Sequence, residues 1–482
     1  TGYSNSFFGY KAGHSNTEGN SNSFFGQDAG YSNTEGDSNA FFGRSAGYAN
    51  TSGLSNSFFG AGAGSFNAAG NYNAFFGHGA GYFNTEGDSN SFFGQGAGSS
   101  NTTSSNNAFF GAAAGGSNTT GHENAFFGRS AGYFNATGNY NAFFGGYAGY
   151  YNTTGHDNAF FGRAAGYSNA GGSSNAFFGR SAGSLNTTGA SNAFFGGYAG
   201  YYNTTGISNV FVGDSAGWSN TVEDKNTFIG GSSNLDPGSD PGTSPVTNAT
   251  AIGYQSYVSQ SNSLVLGSIN GVNGAAATTQ VGIGTTAPQR LLHIVGDNAV
   301  FRMDRSTNSA AFMLVRTNSS GSVLKNFVVG VDASGVNQGQ FVINDLGTAL
   351  GGPGERRLTI NNDGDVIING DLITNAGALS FPDYVFAEDY ELMPLGELSE
   401  FVETQRHLPD IPSADAIEEQ GEINITELQL KLLQKVEELT LYAIEQHGSI
   451  EKHQQTISDQ QKTMSEQQAA ITQLTARLKV LE

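Results

Sequence analysis

The chain of 482 residues carries 70 glycines, 12% aromatics, 13% charged residues and no cysteine. This composition excludes disulfide staples, metal–thiolate sites and a cysteine nucleophile, and so many aromatics exclude a disordered polar chain. A net charge of −21 argues against nucleic acid or an anionic membrane as the main partner.

The charge is uneven. Residues 1–230 hold only 6 of the 20 Lys and Arg and 11 of the 41 Asp and Glu, so this half is nearly neutral. No apolar run approaches the roughly 20 residues of a membrane helix, and no membrane insertion is expected. The chain opens inside a repeat, at "TGYSNSFFG", without a basic-then-apolar leader. The expectation is a fragment or processed form with a further N-terminal part.

Residues 1–231 repeat every 17 residues. The glycine after Phe-Phe recurs from Gly9 and Gly26 through Gly213 and Gly230, in the pattern N-[SA]-F-F-G-x-x-A-G-x-x-N-[TA]-x-G-x-x. Seventeen residues are too few for a helical hairpin, and two or three glycines per unit disfavour a helix. Short strands broken by Gly and Asn turns predict one coil of a β-solenoid per repeat.

Adjacent strand residues face opposite sides, so the two phenylalanines have different roles. The second position, at Phe8, Phe25, Phe42, Phe127, Phe161 and Phe195, stays large and apolar to the end, as Val212, Ile229, Ile252 and Leu266. It is therefore expected inside its own coil. The first position, at Phe7, Phe24, Phe41, Phe126, Phe160 and Phe194, falls to Ala251 and Val265 in the last coils and is expected between chains. An exposed apolar stripe of that length predicts an oligomer.

Residues 232–285 combine a Pro- and Gly-rich loop with shorter coils. Asp236 and Asp240 in that loop read as solvated turn carboxylates rather than calcium ligands. The stretch "NATAIGYQSYVSQSNSLVLGS", residues 248–268, resembles the head repeat of YadA-type trimeric autotransporter adhesins. The resemblance extends over roughly residues 1–285 and implies stacked left-handed β-rolls around a threefold axis.

Residues 286–378 contain alternating segments such as "RLLHIVG", "AVFRMDR", "NFVVGVDA" and "RRLTINN", with turns such as Asp363-Gly364, and predict a strand-rich domain. "NNDGDVIINGD" lacks the spacing and closing Glu of a calcium loop. Residues 379–423 predict a short helical region. The stretch "PLGELSEFVETQRHLPDIPSADAIEEQGEINITELQLKLLQKVEELTLYAIEQ", residues 394–446, resembles the C-terminal segment of tail-fibre-domain proteins, placed like the intramolecular chaperone of phage tail fibres. That chaperone family self-cleaves at a Ser-Asp motif. Here Ser380 has neither a following Asp nor a nearby Lys, so self-cleavage is not expected.

Residues 424–482 predict a parallel coiled coil. Position a carries Val436, Ala443, Ile450, Ile457, Met464, Ile471 and Leu478, and d carries Leu432, Leu439, Gln446, His453, Gln460, Gln467, Leu474 and Leu481. β-branched residues at a, with polar d residues that fix register, point to a homotrimer. His453 reads as one of these register residues.

The sequence thus predicts a mainly β, elongated homotrimeric fibre: solenoid, strand-rich domain, then α-helical coiled coil. No catalytic residue, cofactor or metal is assigned. The glycines recur as turns rather than as one phosphate loop, the histidines form no ladder, and carboxylates such as Glu418 and Glu419 sit on a solvated helix. The expected function is an extracellular or cell-surface fibre segment, or part of a particle appendage, attached to a platform on its N-terminal side and giving reach to a glycan or protein receptor. No β-barrel signature follows the coiled coil, so self-anchoring is not expected.

A second reading is an adhesin that stacks sugars on an aromatic row at Tyr31, Tyr48, Tyr133, Tyr150, Tyr201 and Trp218. The alternative for that row is packing against a neighbouring chain. An ice-binding face built on the Asn-Thr rows ranks lower, because Thr lapses to Ala68, Ala136 and Ala170.

Overall fold

The structure, a computed structural model, describes residues 2–235, 245–297, 301, 310–332, 338–352, 354–370 and 381–478. Asp236, Asp240, Ser380, Leu481 and most of the "AVFRMDR" segment lie outside the described residues. The chain divides into two units, Thr1–Val300 and Phe301–Glu482.

The first unit is a β-solenoid. Each 17-residue repeat contributes a three-residue strand, from Ser6–Phe8 to Thr227–Ile229, and Thr250–Ile252 and Leu264–Leu266 continue the series. All sixteen form one parallel sheet in sequence order. Register follows the repeat, with Phe24 opposite Phe41 and Phe25 opposite Phe42. The spacing shortens to 14 between Thr250 and Leu264.

Two features make a 17-residue coil close on itself. Each coil turns through left-handed backbone, as at Ser38 (φ +59°) and Ser45 (φ +56°), a conformation best tolerated by small or polar residues and glycine. The two asparagines of the consensus satisfy the interior. Asn33 Nδ2 donates to Asn16 Oδ1 at 2.7 Å and to the Gly36 carbonyl at 3.0 Å. Asn39 Nδ2 donates to the Gly53 carbonyl at 2.8 Å, and the Asn39 backbone N–H donates to Asn22 Oδ1 at 2.9 Å. These buried amides therefore cross-link successive coils with no polar group wasted.

The two phenylalanines occupy the reverse of the predicted sides. Phe24, Phe41, Phe126, Phe160 and Phe194 are completely buried inside the coil, stacked flat at 4.8 Å for Phe24–Phe41 and 4.9 Å for Phe160–Phe177. Phe7 belongs to the same inner row but is partly exposed at the first coil. Phe8, Phe25, Phe42, Phe127, Phe161 and Phe195 instead line the outer surface, where Phe42 and Phe59 stack at 4.7 Å. The first position shrinks to Ala251, itself fully buried, where the spacing to the next strand falls to 14 residues. Persistence of bulk at the second position marks an outer stripe rather than a core. A thin coil does hide one ladder of rings, because rings stacked face on face at the strand spacing need no more width than a single ring.

Near the end of this unit Val281–Ile283 and Leu292–Ile294 pair in parallel. "RLLHIVG" thus falls within the first unit, in a two-stranded sheet separate from that of the solenoid. The second unit opens with a five-stranded antiparallel meander: Ala310–Thr317, Val323–Val331, Phe341–Gly347, Glu355–Ile360 and Val366–Ile368. The last two strands join through a turn in which Asn361 Oδ1 accepts from the Asp363 and Asp365 N–H groups at 3.0 and 2.7 Å. Large apolar side chains stay exposed on this sheet, Leu314 (60%) and Val366 (59%) among them.

Helices α1 (Leu395–Gln405), α2 (Ala414–Gln420) and α3 (Ile425–Leu478) follow. Ser413 caps α2 by accepting from the Ala416 N–H, and α2 ends on Gly421 in left-handed backbone. Asn424 Oδ1 accepts from the Glu427 N–H at 3.2 Å at the start of α3. The segment before α1 is tied to α3 by Tyr384 to Gln434 at 3.0 Å and Tyr390 to Glu438 at 2.6 Å, and by the Tyr442 hydroxyl on the Met393 carbonyl. Lys435 bridges Asp410 and Glu438 at 3.0 and 2.9 Å.

Candidate functional site

The turn that follows Phe-Phe-Gly carries the predicted aromatic row in most coils, its rings largely half-buried. Tyr31 stacks on Tyr48 at 5.1 Å, Tyr133 on Tyr150 at 5.5 Å and Tyr201 on Trp218 at 5.0 Å, each a coil apart. The predicted row is thus a series of short stacks, interrupted where the repeat carries Gly or Ser. A second row runs beside it: Phe134 stacks on Tyr151 at 5.2 Å and meets Tyr133 edge-on at 4.7 Å. The two rows interlock face to edge, the arrangement aromatic quadrupoles favour.

Burial first, and then the neighbouring phenols Tyr151 and Tyr133, push the Tyr150 hydroxyl above its usual pKa. Tyr167 is raised in the same direction, again by burial first. These hydroxyls stay neutral donors at physiological pH.

Two open grooves cross this surface. One, of about 580 Å³, is lined by Tyr147, Arg163, Tyr167, Arg180, Tyr198 and Tyr201 with small residues between. The other, of about 640 Å³, holds Arg44, Tyr48, Phe66, His78 and Tyr82. Tyr147 and Tyr198 were not among the residues singled out from sequence. A signal was present: residues 141–155 and 192–206 are the same fifteen residues, "NAFFGGYAGYYNTTG", and frame two coils that each carry an arginine after Phe-Phe-Gly.

The Thr rows are turned along the stack. Thr51 Oγ1 donates to the Ala68 carbonyl at 3.0 Å and Thr119 Oγ1 to the Ala136 carbonyl at 3.0 Å, so these hydroxyl protons are already engaged. His14 stacks on Tyr31 at 4.8 Å, and His156 pairs with Asp157 at 2.7 Å. Among the described residues no three His, Asp or Glu side chains converge on one point.

On α3 the described a and d residues Leu432, Val436, Leu439, Ile450, Ile457, Met464, Ile471, Leu474 and Leu478 are all exposed, most by more than half. Gln446, His453, Gln460 and Gln467 lie on the same seam and are exposed too. The seam lies apart from the face that Gln434, Lys435, Glu438 and Tyr442 turn toward the preceding segment. No helix among the described residues is long and apolar enough to cross a membrane.

These features define a β-solenoid repeat protein with an antiparallel sheet unit and a long C-terminal helix suited to a coiled coil. No model of a known protein family matches the chain, and no curated protein sequence matches it.

Proposed function

We propose that this chain is a structural and adhesive segment of a surface appendage or tail-fibre-like assembly, held as a parallel homotrimer whose register is set by α3. The observation that carries the reading is the α3 seam. Ile450, Ile457 and Ile471 are 53–54% exposed and Met464 65% exposed, in one heptad register, with no described residue covering them. Each such side chain would gain about 1.5–3 kcal/mol on burial, and copies of the same helix supply the matching seam.

The uncovered apolar residues of the five-stranded sheet and the outer Phe row of the solenoid support the same conclusion, since both need a partner surface of matching period. Platform attachment on the N-terminal side, an extracellular setting and contact with a receptor belong to this reading. It assigns no enzymatic activity. The resemblance of residues 248–268 to YadA-type heads is in keeping with it.

Solution mass tests the reading. The intact chain is expected at three times 50.2 kDa, and a chain ending before residue 424 is expected to misassemble or aggregate. A stable monomer in both cases would overturn it. A second reading, saccharide binding on the aromatic rows, is favoured by the interlocked exposed rings, among them Tyr48, Tyr151 and Tyr202 at 38–44% exposure. The engaged Thr hydroxyls count against an ice-binding face.

A further inference from the structure

The groove between Tyr147 and Tyr198 differs from the rest of the solenoid surface in its charge. Residues 1–230 contain four arginines, and two of them, Arg163 and Arg180, stand in adjacent coils at the same offset. Both are exposed, and no carboxylate lines their groove. Neither has an ion pair among the described residues. Two cations one coil apart repel each other, in a protein of net charge −21 with acids available elsewhere. An uncompensated pair of this kind is placed to receive an anion.

The surroundings specify what carries that anion. The Arg180 guanidinium carbon lies 4.5 Å over the ring of Tyr198. A cation–π contact made through the face of a guanidinium leaves its in-plane N–H donors free to fork two oxygens of one acid group. Tyr147 and Tyr198 sit in left-handed backbone, at φ +62° and +57°. Serine or glycine fills that offset in many other coils, so a bulky aromatic there is not what the turn requires. Gly146 adds to the opening: its φ is not left-handed and a Cβ would meet nothing closer than the Arg129 carbonyl at 4.0 Å, so glycine there is not demanded by the backbone.

The two tyrosines stand three coils apart, roughly 14 Å at the strand spacing, which suits several linked rings better than a single small ion. We propose that this groove binds an anionic oligosaccharide, its carboxylate or sulfate group forked by Arg163 and Arg180 and its sugar faces laid against the flanking tyrosines. The proposal rests on the reading that the aromatic rows meet saccharide, and adds the ligand's charge and its place.

The protein's own repeats supply substitutions that the coil accepts. Gln27 and Gln95 occupy the arginine offset, and Ser45 and Ser130 occupy the offset of Tyr147 and Tyr198. The test is calorimetric titration of the intact chain at physiological salt with tetragalacturonate, a heparin-derived tetrasaccharide and neutral maltotetraose. Wild type is expected to bind one of the anionic probes at least about tenfold more tightly than maltotetraose; binding of tetragalacturonate identifies carboxylate as sufficient, and binding of the heparin tetrasaccharide alone identifies a requirement for sulfate. R163Q/R180Q is expected to abolish that preference, and Y147S/Y198S to weaken binding of the same probe.

Four outcomes overturn the proposal. No binding of either anionic probe by wild type removes the site. Unchanged affinity in R163Q/R180Q, or an equal loss in Arg44→Gln in the other groove, shows general attraction to positive charge. Binding of maltotetraose as tight as that of the anionic probes overturns the anionic assignment while leaving the aromatic-row reading intact.

Discussion

Phe41 occupies the space that any side chain on Gly47 would need. A Cβ built on Gly47 would lie 2.5 Å from the ring, and Gly47 adopts φ +55°. Each coil is closed by this contact between a left-handed glycine and one edge of its own inner phenylalanine ring, and the next coil repeats it.

Phe41→Ala is expected to cost about 3–5 kcal/mol, the loss of a fully buried ring with its cavity. Phe42→Ala, one residue on, removes a ring from the outer surface and should cost the solenoid itself far less. Urea unfolding followed by far-ultraviolet circular dichroism distinguishes the two. Equal losses would mean that the outer ring is as deeply packed as the inner one. Gly47→Ala should be severely destabilising as well, since both the backbone and the Phe41 ring would have to shift.

Replacing the outer rings Phe42, Phe59 and Phe76 together with Ser should leave the coil folded and change its association. If the outer stripe meets a second copy, light scattering of the triple variant should show weaker assembly than wild type. An unchanged mass would place the interface elsewhere.

In α3, Ile450→Asp with Ile457→Asp sets a charge into every copy of the seam. We expect loss of the trimer mass, because each seam position brings like charges together in a desolvated core. Retention of that mass would remove α3 from assembly.

Asp345 accepts from Lys325 Nζ at 2.7 Å, from the Gly347 N–H at 2.9 Å and from Arg357 at 3.3 Å. The Lys325 hydrogen bond first, and then the Gly347 N–H, lower its pKa from 3.8 to about 2. A carboxylate depressed in the folded state contributes stability above its unfolded pKa and loses it as pH falls toward the folded value. Between about pH 4 and pH 2 the sheet of the wild-type chain should therefore weaken more steeply than in Asp345→Asn. Hydrogen exchange in residues 323–360 at several pH values reads this difference. Parallel profiles would show that the pairing does not matter.

Glu437 shows the opposite sign. It is nearly buried, its Oε2 has no hydrogen-bond partner, and burial, with Asp383 nearby, raises its pKa above 4.5. The folded state binds this proton more readily than the unfolded one, so the ionised form destabilises at neutral pH. Glu437→Gln should raise the melting temperature of the C-terminal unit at pH 7, with the gain shrinking as the pH falls toward 4. A lower melting temperature at pH 7 would show that the carboxylate is stabilised by something other than its neighbours here.

Much of the fold was legible. The interval of 17 gave a stacked coil, and Gly and Asn at fixed offsets gave its turns. The heptads from Val436 onward marked the helix now seen as α3. The seam could be read because helical periodicity alone places Ile450, Ile457 and Ile471 on one side. The candidate groove was legible only in part: Tyr150 and Tyr201 were singled out for their recurrence, whereas Tyr147 and Tyr198 interrupt the repeat and were missed for that reason.

Sequence by itself determined the period, the in-register stacking of like residues and the opposition of the two phenylalanines, because each follows from chain spacing alone. Which phenylalanine turns inward was decided only in three dimensions. Alternation on a three-residue strand separates Phe41 from Phe42 but is symmetric between the two sides. The direction in which the coil closes, carrying Gly47 back over Phe41, breaks that symmetry. The same closure brings Arg163 and Arg180 side by side between Tyr147 and Tyr198, residues as far as 51 positions apart in the chain but joined by the stacking of successive coils.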